Sequence, residues 1–165
     1  MKKEYKYASI FFAIIAVGIM SISYFYDEVD LKRNTTNDIT AVDKTFLRTS
    51  PELKGISGYI NTSLEEIEQD IDGKVVLYDF WTYSCINCIR TLPYLTAWDE
   101  KYSDEGLVII GIHTPEFEFE KEFDNVVFAT KKFGIKYPVI QDNDKETWNE
   151  FQNRYWPRKY IADHE

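Results

Sequence analysis

A chain of 165 residues, 44% hydrophobic and 16% aromatic, has room for one core of ordinary domain size plus extra segments. Its formal net charge of -9 argues against a nucleic-acid surface, because phosphate binding needs clustered Lys and Arg. Two cysteines are too few for a disulfide framework or a four-thiolate metal site.

Residues 1–7 carry Lys2, Lys3 and Lys6 and read as a cytoplasmic stub. Ala8 to Tyr26 follows without a charge, and at ~1.5 Å per residue it nearly spans a hydrocarbon core of ~30 Å. Asp27, Glu28 and Asp30 come next, so the positive-inside tendency keeps the short N-terminus in the cytoplasm and puts the cysteines outside. Ser21 and Ser23 also suit a signal peptidase. The long apolar run and its aromatic border, Tyr24 to Tyr26, favour a retained transmembrane signal anchor over 8–26, with one pass through the cell membrane. Residues 27–50 are polar, mixed in charge and without period, and read as a linker ahead of a domain over 51–165. Asn34-Thr-Thr and Asn61-Thr-Ser fit the glycosylation acceptor pattern, which matters only in a host that glycosylates exported proteins.

Within the domain, Ser63-x-x-Glu66 is a capping-box signal, and Leu64, Ile67 and Ile71 would line one face of a short helix ending at Gly73. Lys74 to Trp81 is a near-continuous apolar run, the pattern of a parallel strand covered on both faces. Asp79 interrupts it. Then comes Cys85-x-x-Cys88, which is most economically one reversible dithiol.

A helix starting at Cys85 would set that thiol over unpaired N–H groups and the positive end of the dipole, favouring the thiolate and making Cys85 the nucleophile. Cys88, nearly one turn later on the same face but deeper, would resolve a mixed disulfide formed at Cys85. Its proton needs an acceptor. Asp79, desolvated in an apolar strand, should have its pKa raised into the range where it can take and return that proton.

From Cys85 to about Tyr102, the residues Ile89, Leu92, Leu95, Trp98 and Tyr102 recur at helical spacing, with Pro93 kinking the helix. Gly106 precedes LVIIGIH, a second buried strand, and strand, helix, strand predicts a right-handed parallel crossover in an α/β fold. Thr114 as N-cap and Pro115 at the first position are expected to open the next helix, with Phe119, Phe123, Val126, Val127, Thr130 and Phe133 facing inward. Its acidic face reads as solvated, or Glu116 and Glu118 tune the cysteines or select a basic partner. Tyr137 to Gln141 reads as a short strand, Asp144 as the cap of a helix carrying Trp148 and Phe151, and RKYIA as a last strand.

Asp79, Phe80, Trp81, Cys85 and Cys88, with Pro93 eight residues after the first cysteine, resemble the active-site strand and kinked helix of the thioredoxin superfamily. FWTYSCINCIRTLPYL, GIHTPEFEFE, KYPVIQD and RYWPRKYIAD are similar to its membrane-tethered TlpA-like branch, in particular the thioredoxin-like domains of DipZ-type proteins. Ser84 stands where many relatives carry Trp. The resemblance implies a thioredoxin-like fold, a central sheet flanked by helices. It also implies that Pro157 is a cis-proline facing the dithiol, where the backbone of Trp156 pairs with an extended substrate segment. Trp81 and Trp156 are then the substrate-binding positions. In that fold the last strand starts a hairpin, and its second strand and a following helix are missing after Glu165, so the domain is expected to be C-terminally incomplete.

The leading functional expectation is an exported thiol-disulfide oxidoreductase that reduces oxidised client proteins, needs no cofactor, and is re-reduced by a membrane electron donor of the CcdA or DipZ type. Ile86 and Asn87 add no cation to the motif, which favours a reductant over a strong oxidant. The alternatives are a metal (copper) chaperone using the dithiol with His113 or His164, a thiol peroxidase-like antioxidant enzyme, and a pair of structural cysteines.

Overall fold

A computed structural model describes residues 47–163 of the chain. Strand β1 (Gly58–Ile60) is followed by helix α1 (Leu64–Ile71), strand β2 (Val75–Trp81), helix α2 (Ile86–Tyr102), strand β3 (Leu107–His113) and helix α3 (Phe123–Lys132). Strand β4 (Val139–Gln141), helix α4 (Glu146–Glu150) and strand β5 (Arg158–Ala162) complete the order. The expected stub over 1–7, the anchor over 8–26, nearly all of the 27–50 linker, and His164 lie outside the described residues. Among the described residues no helix is long and apolar enough to cross a membrane.

The strands form one mixed sheet in the order β1-β4-β3-β2-β5. β2 pairs parallel with β3, and β3 with β4, as the two strand-helix-strand units require. β1 and β5 run antiparallel at the edges.

The two-residue period of β2 divides the interior. Val76, Tyr78 and Phe80 point into a cluster with Ile67 of α1, Trp148 of α4 and Phe151. Leu77 and Trp81 point the other way, into a cluster with Cys88, Leu92 and Leu95 of α2 and Val126 of α3. Asp79 shares this second parity, so it faces the helix that carries the cysteines. Its register partner on β3 is Gly111, where an added Cβ would lie 3.1 Å from Trp81 Nε1 and 3.2 Å from Val139 Cγ2. Glycine there leaves room for the Trp81 ring beside the carboxyl.

Local signals set several ends. Ser63 Oγ accepts from the Glu66 N–H and caps α1, although Leu64 is exposed and only Ile67 of its expected face is buried. Pro93 lies inside the continuous α2. The buried residues of that helix are Cys88, Leu92 and Leu95, and Trp98, one position off the stripe, is exposed.

Two expected elements are corrected. No helix starts at Thr114: its hydroxyl donates to Asp142 across the sheet end, residues 114–117 form a loop, a 3-10 turn covers Glu118–Lys121, and α3 begins only at Phe123. Phe119 is exposed because the alternating Glu and Phe belong to a loop folded around Glu120, not to a helix face, and Phe123, the first residue of α3, is exposed as well. In α4, Asp144 is not the cap. Asp142 accepts from the N–H groups of Thr147 and Trp148 at 3.1 and 2.8 Å, and Lys145 occupies the N-cap position in the left-handed region. Asn61, a glycosylation candidate, donates its amide to the carbonyls of Ile135 and Tyr137 and so serves as a tie between loops.

Candidate active site

β2 ends at Trp81, and a tight turn, closed by the Cys85 N–H donating to the Thr82 carbonyl at 3.3 Å, delivers Cys85 to the N-cap of α2. Cys85 takes extended backbone angles there, and its Sγ accepts from the Cys88 N–H at 3.4 Å. A sulfur in this position substitutes for a capping oxygen and meets the partial positive charge of the helix start. Both thiols are free, Cys85 partly exposed and Cys88 wholly buried. Burial pushes the Cys88 thiol well above its ordinary pKa, with the hydrogen bond from Cys85 adding to the effect.

Asp79 is fully buried behind this pair. Burial raises its pKa, and the Lys159 ammonium, donating to Oδ1 at 2.9 Å, pulls it part of the way back. Lys159 also donates to Thr91 Oγ1 at 3.3 Å, and Thr91 donates to the Cys88 carbonyl at 2.9 Å, so one chain of contacts joins β5, Asp79 and the cysteine helix. Asp79 Oδ2, Trp81 Nε1 and Tyr137 Oη have no hydrogen-bond partner among the described residues. Trp81 Nε1 and the Tyr137 ring both lie beside Gly111, the register partner of Asp79.

Trp156 and Pro157 are joined by a cis peptide bond just before β5. Because β5 pairs antiparallel with β2 up to Arg158 opposite Phe80, this bond lies at the same end of the sheet as Cys85. The Trp156 ring packs on Trp148 at 4.2 Å, and the Lys145 ammonium lies 5.0 Å from its centroid. Trp81 is different. It was expected to bind substrate, but it is 0% exposed, with its ring edge-on to His113 at 5.2 Å. It supports the site from inside the core and offers no surface to a client.

Two buried polar residues, Glu120 and Thr82, escaped the sequence reading, and His113 entered it only as a candidate metal ligand. Glu120, 0% exposed, accepts from Ser84 Oγ at 2.5 Å and from the N–H groups of Glu116 and Phe117 at 2.6 and 3.0 Å. Burial raises its pKa, but the hydrogen bonds from Ser84, Thr82, Phe117 and Glu116 outweigh burial and hold it below the ordinary value, as a carboxylate. Thr82 Oγ1 lies 3.4 Å from His113 Nε2. His113, stacked under Tyr83 at 5.5 Å, is lowered by burial to a pKa of about 4, against a smaller upward pull from Glu120, and is neutral at pH 7. The signal for Glu120 was present in GIHTPEFEFE, but nothing local says which glutamate turns inward. No group of three His, Cys, Asp or Glu side chains able to hold a metal occurs among the described residues.

A family profile described as thioredoxin-like matches residues 73–163. Protein DipZ of Mycobacterium tuberculosis is 49% identical over 117 residues, covering 70% of this chain and 17% of DipZ. The thiol-disulfide oxidoreductase YkuV of Bacillus subtilis is 29% identical over 113 residues, covering 68% of this chain and 75% of YkuV. A solution structure of a thioredoxin-like protein in the oxidised form superposes with a TM-score of 0.62 at 26% identity, over 70% of this chain and 76% of that one. The chain thus spans 17% of the length of the DipZ proteins it matches.

Proposed function

The chain belongs to the thioredoxin-like family, and from that premise we propose that it is an exported, membrane-anchored thiol-disulfide oxidoreductase that reduces protein disulfides through Cys85 and Cys88. The observation that carries this reading is the unequal placement of the two thiols: one capping a helix and open to solvent, the other buried one turn behind it.

In the proposed cycle the Cys85 thiolate attacks one sulfur of a client disulfide. That S–S bond breaks, a Cys85–client disulfide forms, and the leaving thiolate takes a proton from solvent. Cys88 then gives its proton to the Asp79 carboxylate and attacks Cys85 Sγ, closing a Cys85–Cys88 disulfide and expelling the second client thiolate. Two electrons pass to the client in all. Asp79 is suited to the task because burial makes it a stronger base than an exposed carboxylate, and Lys159 keeps its charged form accessible. Pro157 and the backbone of Trp156 would hold the client's extended segment over Cys85.

Membrane attachment rests on the charge-free run from Ala8 to Tyr26 and on the charges that flank it. The proposed topology is a cytoplasmic stub (1–7), a single-pass anchor (8–26), a linker (27–50) and an extracytoplasmic catalytic domain. The oxidised domain would be re-reduced by a membrane electron donor of the CcdA or DipZ type.

Reduction of insulin by the full chain with dithiothreitol tests the activity. Cys85→Ser and Cys88→Ser should each abolish catalysis above the dithiothreitol background. Activity surviving in Cys85→Ser would overturn the reading. Labelling of Cys85 in intact cells by a membrane-impermeant thiol reagent tests the topology, and protection until lysis would place the domain on the other side.

A further inference from the structure

The loop between β3 and α3 is held rigidly against the cysteine turn, and it displays aromatic surface. The buried Glu120 carboxylate joins Ser84 Oγ to the backbone of Glu116 and Phe117. On the residue before Glu120, the Phe119 carbonyl accepts from Tyr83 Oη at 3.0 Å and from Asn125 Nδ2 at 3.2 Å. Yet the side chains mounted on this frame point outward. Phe117 and Phe119 are 51% and 53% exposed, their rings stacked 5.6 Å apart and 5° from parallel, with the Tyr83 ring 6.2 Å from Phe119. Rigid aromatics held in water are costly to leave bare and typical of surfaces that a partner covers.

Position says which partner. Ser84, the residue Glu120 grips, directly precedes Cys85, so the aromatic platform begins at the nucleophile, and whatever Cys85 attacks must lie beside it. Charge narrows the choice. Glu116, Glu118, Glu122 and Asp124 are exposed along the loop and the start of α3. An open hollow beside Phe117 is lined by Glu116, Glu118 and Asp144. Lys121 and Glu118 on its wall pair with each other at 2.9 Å and Lys145 is drawn over the Trp148 and Trp156 rings, which leaves Glu116 and Asp144 to face a cation. The hollow can thus receive a long cationic side chain.

We infer that the Tyr83, Phe117 and Phe119 platform is a docking subsite for oxidised client proteins, selecting disulfides whose cysteine is flanked in an extended segment by an apolar residue together with Lys or Arg. The inference rests on the reductase reading above and names the substrate class of that same site.

The test uses the full chain and three disulfide-bonded reporter peptides, identical except that the cysteine is flanked by Phe and Lys, by Phe and Glu, or by two serines. The kcat/KM for the Phe–Lys peptide should exceed that for the Phe–Glu peptide by about five-fold, with the serine peptide between them. In Glu116→Gln/Glu118→Gln the Phe–Lys over Phe–Glu ratio should fall toward one. In Phe117→Ser/Phe119→Ser the advantage of Phe–Lys over the serine peptide should collapse. Both pairs of side chains are exposed, so the variants should fold, and circular dichroism checks this. A wild type without preference, or ratios untouched by the substitutions, would overturn the inference while leaving the reductase reading intact. Equal losses on all peptides, accompanied by a shifted dithiol potential, would show that the loop acts on the cysteines and not on the client, which also overturns it. A wild type that reduces none of the peptides, and not Ellman's reagent either, would sink the reductase reading itself.

Discussion

Asp79 and Lys159 are register partners across the antiparallel β2–β5 pair, and their side chains meet at 2.9 Å. Asp79 is entirely buried, whereas the Lys159 side chain retains 27% of its exposure, so the pair links the interior behind the dithiol to the surface. Burial raises the Asp79 pKa and the partly wet ammonium draws it part of the way back, so the carboxylate is a stronger base than an exposed one, as a proton acceptor for Cys88 requires.

Lys159→Met removes the counter-charge and leaves desolvation unopposed, so the Asp79 pKa should rise further. The acid limb of the rate of mixed-disulfide resolution, followed by stopped flow, should move to higher pH, with a loss of about three- to ten-fold at pH 7. An unmoved profile would separate Lys159 from the proton transfer.

Asp79→Asn should trade activity for stability. Folding raises the Asp79 pKa above its ordinary value, so the folded state favours the protonated acid. That preference costs nothing below pH 3.8 and grows as the pH rises through the folded value. At pH 7 the wild type therefore carries a penalty that the amide removes. Urea denaturation should find the variant more stable at pH 7, with the gap closing toward pH 4, while insulin reduction falls at least about ten-fold.

His113 has the opposite sign. Its folded pKa of about 4 lies below the ordinary 6.5, so its contribution is complete above pH 6.5 and is lost as the pH falls toward 4, where the unfolded chain takes a proton that the folded one refuses. Over that window the loss should reach roughly 3 kcal/mol, read by denaturation at several pH values. His113→Phe, which cannot titrate, should flatten this part of the profile. An equally steep acid limb in the variant would assign the loss to other groups.

Glu120→Ala should unpin the loop. It strands the Ser84 hydroxyl and two backbone N–H groups, and the expected cost is about 2–4 kcal/mol in denaturation, with faster amide exchange at Glu116 and Phe117. Glu120→Gln keeps an acceptor and should cost less. Equal protection factors in wild type and Glu120→Ala would show that the loop stands without its carboxylate.

The cysteine turn, the burial of Asp79 within β2, and the parallel β2–β3 pair were legible because each depends on neighbours in the chain: a strand-to-helix junction, an apolar run, a strand-helix-strand order. The Lys159 contact was not. It depends on the register of two strands 80 residues apart, which no local pattern specifies. Glu120 was hidden differently, since an alternation of Glu and Phe fits a helix edge, a strand or a loop equally well, and its contact with Ser84 spans 36 residues. Asp142 was overlooked as a cap because Asp144 offered the same chemistry two residues later. Trp81 was misjudged because its place in an active-site motif suggested contact with substrate, whereas the period of β2 sends it into the core.

The most direct test of the account is to trap the first covalent step. Full-length Cys88→Ser and Cys85→Ser proteins are mixed with a disulfide-bonded peptide, quenched in acid and mapped by mass spectrometry. The account predicts a stable peptide adduct on Cys85 in the first protein and almost none on Cys88 in the second. Adduct formation at Cys88 as fast as at Cys85, or none at Cys85, would contradict it.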